Sequence, residues 1–255
     1  MTLILNEIHL LDGLNKTILV AAADRRISKP DGAYDSTQRK LFPIAYLNGA
    51  ISYFGLASMF PKNTKQYLSE WLQKFIRAQS DSPDLESFAN SLRAGLHHVL
   101  PKDILKKHPS GFHICGYNSQ GLPEFWSLTN IGRLEGFQHV DFKGEYGAPS
   151  PDFLGRDAKN EFGWDGSNPL SARNGRMTYR NGDFRAHVVA WELLDEILMK
   201  IFQFSDFRKP SNVHEYEEYI RFKFEFIAYL YKKWARKQII GRPIDVIVLK
   251  GSFSG

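Results

Sequence analysis

The order in which the hydrophobic period changes along this chain leaves few ways to fold it. Apolar, partly β-branched runs at residues 2–9 and at Thr17-Ile18-Leu19-Val20-Ala21-Ala22-Ala23 flank Asp12-Gly13, and a second pair, residues 39–47 and 50–55, flanks Asn48-Gly49. Both dipeptides are hairpin-turn signals, so the chain opens with four strands. From Asn63 the spacing turns helical, and Tyr67, Leu68, Trp71, Leu72, Phe75 and Ile76 predict a helix over 63–78. Ser82-Pro83 reads as the N-cap and first-turn proline of a second helix, whose stripe of Leu85, Phe88, Ala89, Leu92, Leu96 and Val99 ends before Pro101. A strand pattern returns at 111–117 and 124–129 around Ser119-Gln120-Gly121. Two more helices are expected, over 184–204, apolar almost all round as a helix sandwiched between layers would be, and over 214–238, where Tyr216, Tyr219, Ile220, Lys223, Phe226, Ile227, Leu230 and Trp234 share a face. The alternation of Phe222, Phe224 and Phe226 would suit a strand, but the length of the segment favours a helix. A strand at 244–249 closes the chain. Strands, two helices, a hairpin, two helices and a last strand is the order of a four-layer α+β sandwich, with helices outside two stacked antiparallel sheets.

At 255 residues and 43% hydrophobic, the chain can bury a core as one folded unit, 1–255, without disulfides or metals. Residues 144–182, crowded with Gly, Pro, Asn, Asp and Ser, read as an irregular insertion or lid. The single cysteine, Cys115, lies in an apolar strand pattern, which excludes an internal disulfide and suits a reducing compartment. No secretory leader begins the chain and no apolar run approaches about 18 residues, so a cytoplasmic protein without a membrane partner is expected. Thirty-three basic against 28 acidic residues is a mixed, solvated surface, not a nucleic-acid face. Metal, dinucleotide, phosphate-loop and serine-elbow signatures are missing, so no cofactor is expected. His97-His98 points to two sides of its helix and suits solvation or capping better than metal binding.

The chemistry resides in an ordered set: Thr2 behind Met1, then Val20-Ala21-Ala22-Ala23-Asp24-Arg25-Arg26, Arg39-Lys40-Leu41-Phe42, and Ser52-Tyr53-Phe54-Gly55-Leu56-Ala57. With these elements the chain resembles the proteasome beta-subunit family, including the bacterial heat-shock-locus peptidase, over about three quarters of its length. Cys115-Gly116-Tyr117, Gly121 and Gly241-Arg242-Pro243-Ile244-Asp245 extend the likeness. The resemblance implies an N-terminal nucleophile hydrolase fold and a threonine peptidase acting on polypeptides. It assigns Thr2 as nucleophile, Asp24 and Lys40 as its partners, Gly55 as oxyanion donor and Arg26 as support. The family's Gly-Ser-Gly-Ser element appears as Gly147-Ala148-Pro149-Ser150, with alanine at its first serine, and Asp206 and Ser211 align with a supporting aspartate and serine. A homo-oligomeric ring and an ATP-dependent unfoldase are implied in the same way. Two alternatives keep the fold and change the function: a noncatalytic scaffold that binds a partner, and an amidase of small molecules with the insertion as a substrate lid.

The residues carry a physical case of their own. Removal of Met1 before a small residue would leave an α-amine of pKa about 7.7–8.0, a base near neutral pH on the same residue as the nucleophilic hydroxyl. A charged Lys40 would favour the alkoxide, Asp24 would hold Lys40, and the Gly55 amide would meet the developing negative charge.

Overall fold

The alternation of apolar residues along the first strands sorts them onto two faces, and each face finds its own layer. A computed structural model of the chain describes residues 2–12, 16–28, 34–59, 66–135, 138–150, 176–182 and 190–252. Eight strands form two four-stranded sheets. They are β1 (Leu3–Asp12), β2 (Lys16–Asp24), β3 (Leu41–Ile44), β4 (Gly49–Phe54), β5 (Gly111–Tyr117), β6 (Pro123–Thr129), β7 (Arg176–Gly182) and β8 (Ile244–Ser252). Every pairing is antiparallel, in the orders β7-β1-β2-β8 and β6-β5-β4-β3. The helices are α1 (Leu68–Ala78), α2 (Leu85–Val99), a short α3 (Lys102–Leu105), α4 (Glu192–Ile201) and α5 (Val213–Trp234).

Ile4, Ile8, Leu19, Ala21 and Ala23 point from the first sheet toward Leu41, Ala50, Phe54, Cys115 and Phe125 of the second, and form the core between the sheets. The small alanines there let the two sheets approach closely. Leu3, Leu5, Ile18, Val20 and Ala22 point the other way, onto Ile220, Phe224 and Ile227 of α5. On the far side, Phe42, Ile51, Tyr53, Phe112 and Ile114 meet Leu72 of α1 and Phe88, Leu92 and Leu96 of α2. The layers therefore run helices, sheet, sheet, helices, the order expected from the sequence.

Several boundaries differ from expectation for identifiable reasons. Asn48 takes a left-handed conformation (φ 44°) at the end of a single 3-10 turn, Ala45–Leu47, so this connection is longer than a two-residue hairpin. The cap of α2 is Asp84, whose side chain accepts from the Ser87 N–H, and not Ser82 two residues earlier. The first helix begins at Leu68, after a short bridge of Gln66–Tyr67 to Ser58–Met59; the expected residues 63–65 lie outside the described set. Likewise 184–189 of the third helix are outside it, and α4 is no sandwiched helix, since Leu193 and Ile197 are exposed. On α5, Phe226 and Trp234 also face outward. The segment 144–182 is not irregular throughout, because Arg176–Gly182 pairs with β1 from Leu3↔Gly182 to His9↔Arg176. Its polar sequence suits an edge strand, and 151–175 lie outside the described residues. A hairpin of Ile131–Glu135 with Gln138–Phe142 adds to the expected strands.

A charged cluster lies buried between the first sheet and its helices. Glu7 of β1 accepts from Lys223 of α5 at 3.0 Å and from the Trp191 indole at 3.2 Å, and Lys223 also meets Asp195 at 2.5 Å. Charges taken out of water are kept only when they are paired, as these are.

Candidate active site

Register, rather than turn length, delivers the first functional residue. The β1–β2 ladder pairs Ile4 with Ala23, which leaves Leu3 and Thr2 alongside Asp24 at the end of β2, while a bulge between Leu10 and Asp12 takes up the irregularity near the turn. Thr2 and Asp24 are both buried. The Asp24 carboxylate accepts from the Thr2 hydroxyl at 2.5 Å and from the Leu3 N–H at 2.8 Å through Oδ1. Its Oδ2 accepts from the Arg26 N–H at 3.1 Å and the Gly241 N–H at 3.4 Å.

Lys40 arrives from the second sheet. It directly precedes β3, and the Tyr53 N–H donates to its carbonyl at 3.1 Å, so β4 holds its backbone. Its ammonium donates to the Thr2 hydroxyl, to the Arg26 carbonyl at 2.5 Å and to Asp24 Oδ1 at 3.4 Å. Burial lowers the Lys40 pKa from the usual lysine value, and the Asp24 charge partly opposes that shift. The Thr2 oxygen thus sits between a buried cation and a buried carboxylate, with its own proton directed at the carboxylate.

Beside it is a small pocket of about 50 Å³, lined by Thr2, Arg26, Ile27 and Lys40 and, across from them, by Tyr53, Phe54, Gly55 and Ala57. Gly55 has φ +88°, and a Cβ there would lie 2.0 Å from the Pro109 carbonyl oxygen, so only glycine suits this turn. Arg26 is a brace: its guanidinium donates to the Gln238 carbonyl at 2.8 Å and side chain at 3.1 Å, and lies over the Tyr34 ring.

Thr2, Asp24, Lys40, Arg26 and Gly55 are therefore gathered at one place, and the other three residues expected on sequence grounds are elsewhere. Ser150 makes a two-bond bridge with the Ser127 backbone at 2.9 Å, next to β6. Asp206 is exposed in the connection between α4 and α5. Ser211 is exposed and belongs to the start of α5, where its N–H donates to Glu215 at 2.9 Å. None of the three lines the pocket. Sequence reasoning did not single out Gly241 as an Asp24 donor or Gln238 as an Arg26 acceptor; Gly241-Arg242-Pro243 was the only signal near them. His97 accepts from the Tyr146 N–H at 2.9 Å, a structural bond remote in sequence from these residues.

No protein-family model and no curated protein matches the chain. Among solved structures it is similar to a mutant of Anbu from Hyphomicrobium sp. strain MC1, at 13% identity over 100% of this chain and 84% of that one, with a TM-score of 0.46. It is similar to eukaryotic HslV from Trypanosoma brucei, at 14% identity over 97% of this chain and 99% of that one, with a TM-score of 0.42. A third similar structure is Anbu, an ancestral beta-subunit, from Yersinia bercovieri, at 8% identity over 98% and 84%, with a TM-score of 0.45. No helix among the described residues is long and apolar enough to cross a membrane.

Proposed function

We propose that the chain is a threonine peptidase of the N-terminal nucleophile type, active after removal of Met1. The observation that carries this reading is the Thr2 hydroxyl held between Lys40 and Asp24 at the wall of a pocket that also contains Gly55. Once Met1 is removed, the Thr2 hydroxyl turns its proton from Asp24 to the freed α-amine, which takes it as Oγ1 attacks the carbonyl carbon of a peptide bond. Lys40, cationic beside the oxygen, favours the alkoxide as it forms. The Gly55 N–H receives the negative charge that develops on the carbonyl oxygen. As the tetrahedral species collapses, the carbon–nitrogen bond breaks, the leaving amine takes the proton, and an ester to Thr2 remains. Water then attacks the ester, which returns the hydroxyl and releases the acid. Asp24, by accepting from several neighbours, holds the ammonium and hydroxyl in register.

The resemblance to proteasome beta-subunits further supports a polypeptide substrate, assembly into a homo-oligomeric ring and service by an ATP-dependent unfoldase. Turnover of a fluorogenic peptide library by the processed protein tests the proposal: hydrolysis lost in Thr2→Ala and Lys40→Ala and retained in part by Thr2→Ser supports it. Equal hydrolysis by Thr2→Ala and wild type rejects it. A noncatalytic scaffold is the second reading, favoured by the position of Ser150 on a backbone bridge and not at the pocket. A fully processed protein that turns over no peptide selects it.

A further inference from the structure

Charge does not balance where α5 ends and the chain turns back toward β8. Arg25 holds Asp245 through two bonds of 2.8 and 2.5 Å, and Arg242 holds Glu225 at 2.9 Å, so these two acids are engaged. Lys232, Lys233, Arg236 and Lys237, four cations within six residues, are exposed, and among the described residues none of them meets a carboxylate. Cations in the last turn of a helix offset its dipole, which gives Lys232 and Lys233 a structural reason. Arg236 and Lys237 lie past the end of the helix at Trp234, where that reason no longer applies.

The connector between α5 and β8 is tied on both sides. The Gln238 side chain donates to the Lys232 carbonyl at 3.0 Å, which folds the chain back against the helix end and gathers the four cations into one cluster. Ile239 and Ile240 are buried in the core beneath α5. The inner side of the same turn reaches the site. Gln238 accepts from Arg26, a pocket-lining residue, through both its carbonyl and its side chain, and the Gly241 N–H donates to Asp24. A Cβ at Gly241 would lie 2.5 Å from Arg26 Nε, so backbone and guanidinium are in direct contact. The cationic cluster is thus separated from the pocket wall by a single side chain.

Its sign selects an anionic ligand, and its size selects the kind. A nucleic acid is held by about six to ten phosphate contacts spread along a tract, more than four cations gathered at one turn supply. A short run of aspartates and glutamates in an extended polypeptide, at roughly 3.3–3.6 Å per residue, meets them within the same span. Trp234, exposed between the two pairs of cations, offers apolar contact to neighbouring side chains of such a segment.

We propose that this cluster is an exosite, which docks an acidic segment of the polypeptide substrate while another part of the same polypeptide lies at Thr2. That the ligand is a substrate rests on the hydrolase reading; that an acidic peptide docks here does not. Docking raises the local concentration of the scissile bond at the pocket, so it lowers KM and leaves kcat unchanged, and it fades with salt because the cations are exposed.

Two measurements on the full chain test this. The first compares turnover, by the processed protein at about 50 mM salt, of a neutral fluorogenic peptide and of the same peptide carrying a run of glutamates on a flexible spacer. The glutamates are expected to raise kcat/KM by about tenfold, all of it through KM, as several exposed ion pairs of modest strength would. That ratio falls to within about twofold of unity in the double variant Arg236→Glu/Lys237→Glu, and in wild type at about 0.5 M salt. The second needs no turnover: a polyglutamate peptide is joined to the Thr2→Ala chain by a zero-length carbodiimide cross-linker, and the modified lysines are mapped by mass spectrometry. Adducts concentrated on Lys232, Lys233 and Lys237 are expected. Cleavage of the neutral peptide with no gain from the glutamates would overturn the exosite and leave the hydrolase reading standing. Cleavage of neither peptide, with adducts on those three lysines, would overturn the hydrolase reading and the exosite with it, and leave only an acidic docking surface. Adducts spread evenly over the lysines of the chain, or displacement of the peptide by oligothymidylate more effectively, charge for charge, than by free polyglutamate, would overturn the docking itself.

Discussion

Replacing Asp24 by asparagine keeps the size of the side chain and reverses much of its chemistry. In the native protein the carboxylate accepts from the Thr2 hydroxyl, the Leu3, Arg26 and Gly241 amides and the Lys40 ammonium. Asparagine offers one oxygen to this crowd of donors and turns an NH₂ group toward the rest, while Lys40 loses its counter-charge. Removing one member of a buried ion pair costs about 3–5 kcal/mol, and the hydrogen bonds to the charged group are already contained within that range. We expect Asp24→Asn to lower stability by about 4 kcal/mol. Lys40→Met is expected to fall at the lower end of the same range, about 3 kcal/mol, because it leaves buried Asp24 without its cation but with its remaining hydrogen-bond donors. Urea unfolding at pH 7 measures both. At about 2–4 °C per kcal/mol for a chain of this size, the asparagine variant should melt roughly 8–16 °C below wild type. An Asp24→Asn variant within about 1 kcal/mol of wild type, or one more stable than Lys40→Met, would refute the view that Asp24 is the centre of this network.

Three further outcomes are expected. Gly55→Ala meets both a positive φ and the Pro109 carbonyl, so it should cost at least about 2 kcal/mol by thermal unfolding and, by displacing its amide, reduce peptide turnover about 10²–10³-fold. Lys223→Met takes the shared cation from buried Glu7 and Asp195, leaving Glu7 with Trp191 and His9 and Asp195 with Tyr219, and should cost about 3–5 kcal/mol; adding Glu7→Gln should recover part of that loss. His113 is fully buried, and burial pushes its pKa down to about 4 from 6.5. The unfolded chain therefore binds more protons between these values, and stability falls as pH drops from about 6.5 to 4, by on the order of 3 kcal/mol in all. His113→Asn, which retains an acceptor for Asn6, should flatten that part of the profile, and an unchanged slope would contradict it.

How much of this was legible in the sequence follows from how local each signal was. The alternation of Leu3, Ile4 and Leu5, and of Leu19, Val20 and Ala21, already divides each strand between two layers, and the order of periods sets helices outside sheets. Thr2, Asp24 and Lys40 stood out because an ordered motif names them and because hairpin register converts that order into proximity. Edge strand β7 was not legible, since a strand paired on one side and made of Arg, Thr, Tyr and Asn carries no hydrophobic period. The outward face of α4 was misread as buried because leucine and isoleucine give the same periodic signal against a sheet or in water. Ser150, Asp206 and Ser211 were drawn from loops, where spacing along the chain says little about position in space. The Gly241 amide and the Gln238 carbonyl reach the site through backbone atoms, which no residue type advertises.

The central claim is that Thr2, with its amine freed, is a nucleophile. Intact mass of the purified protein before and after treatment with an epoxyketone or β-lactone, followed by mapping of the modified peptide, tests it most directly. The account predicts loss of the Met1 mass and a single adduct located on Thr2, absent from Thr2→Ala and slowed in Lys40→Met. A chain that has lost Met1 and takes no adduct, or one modified at another residue, would contradict it.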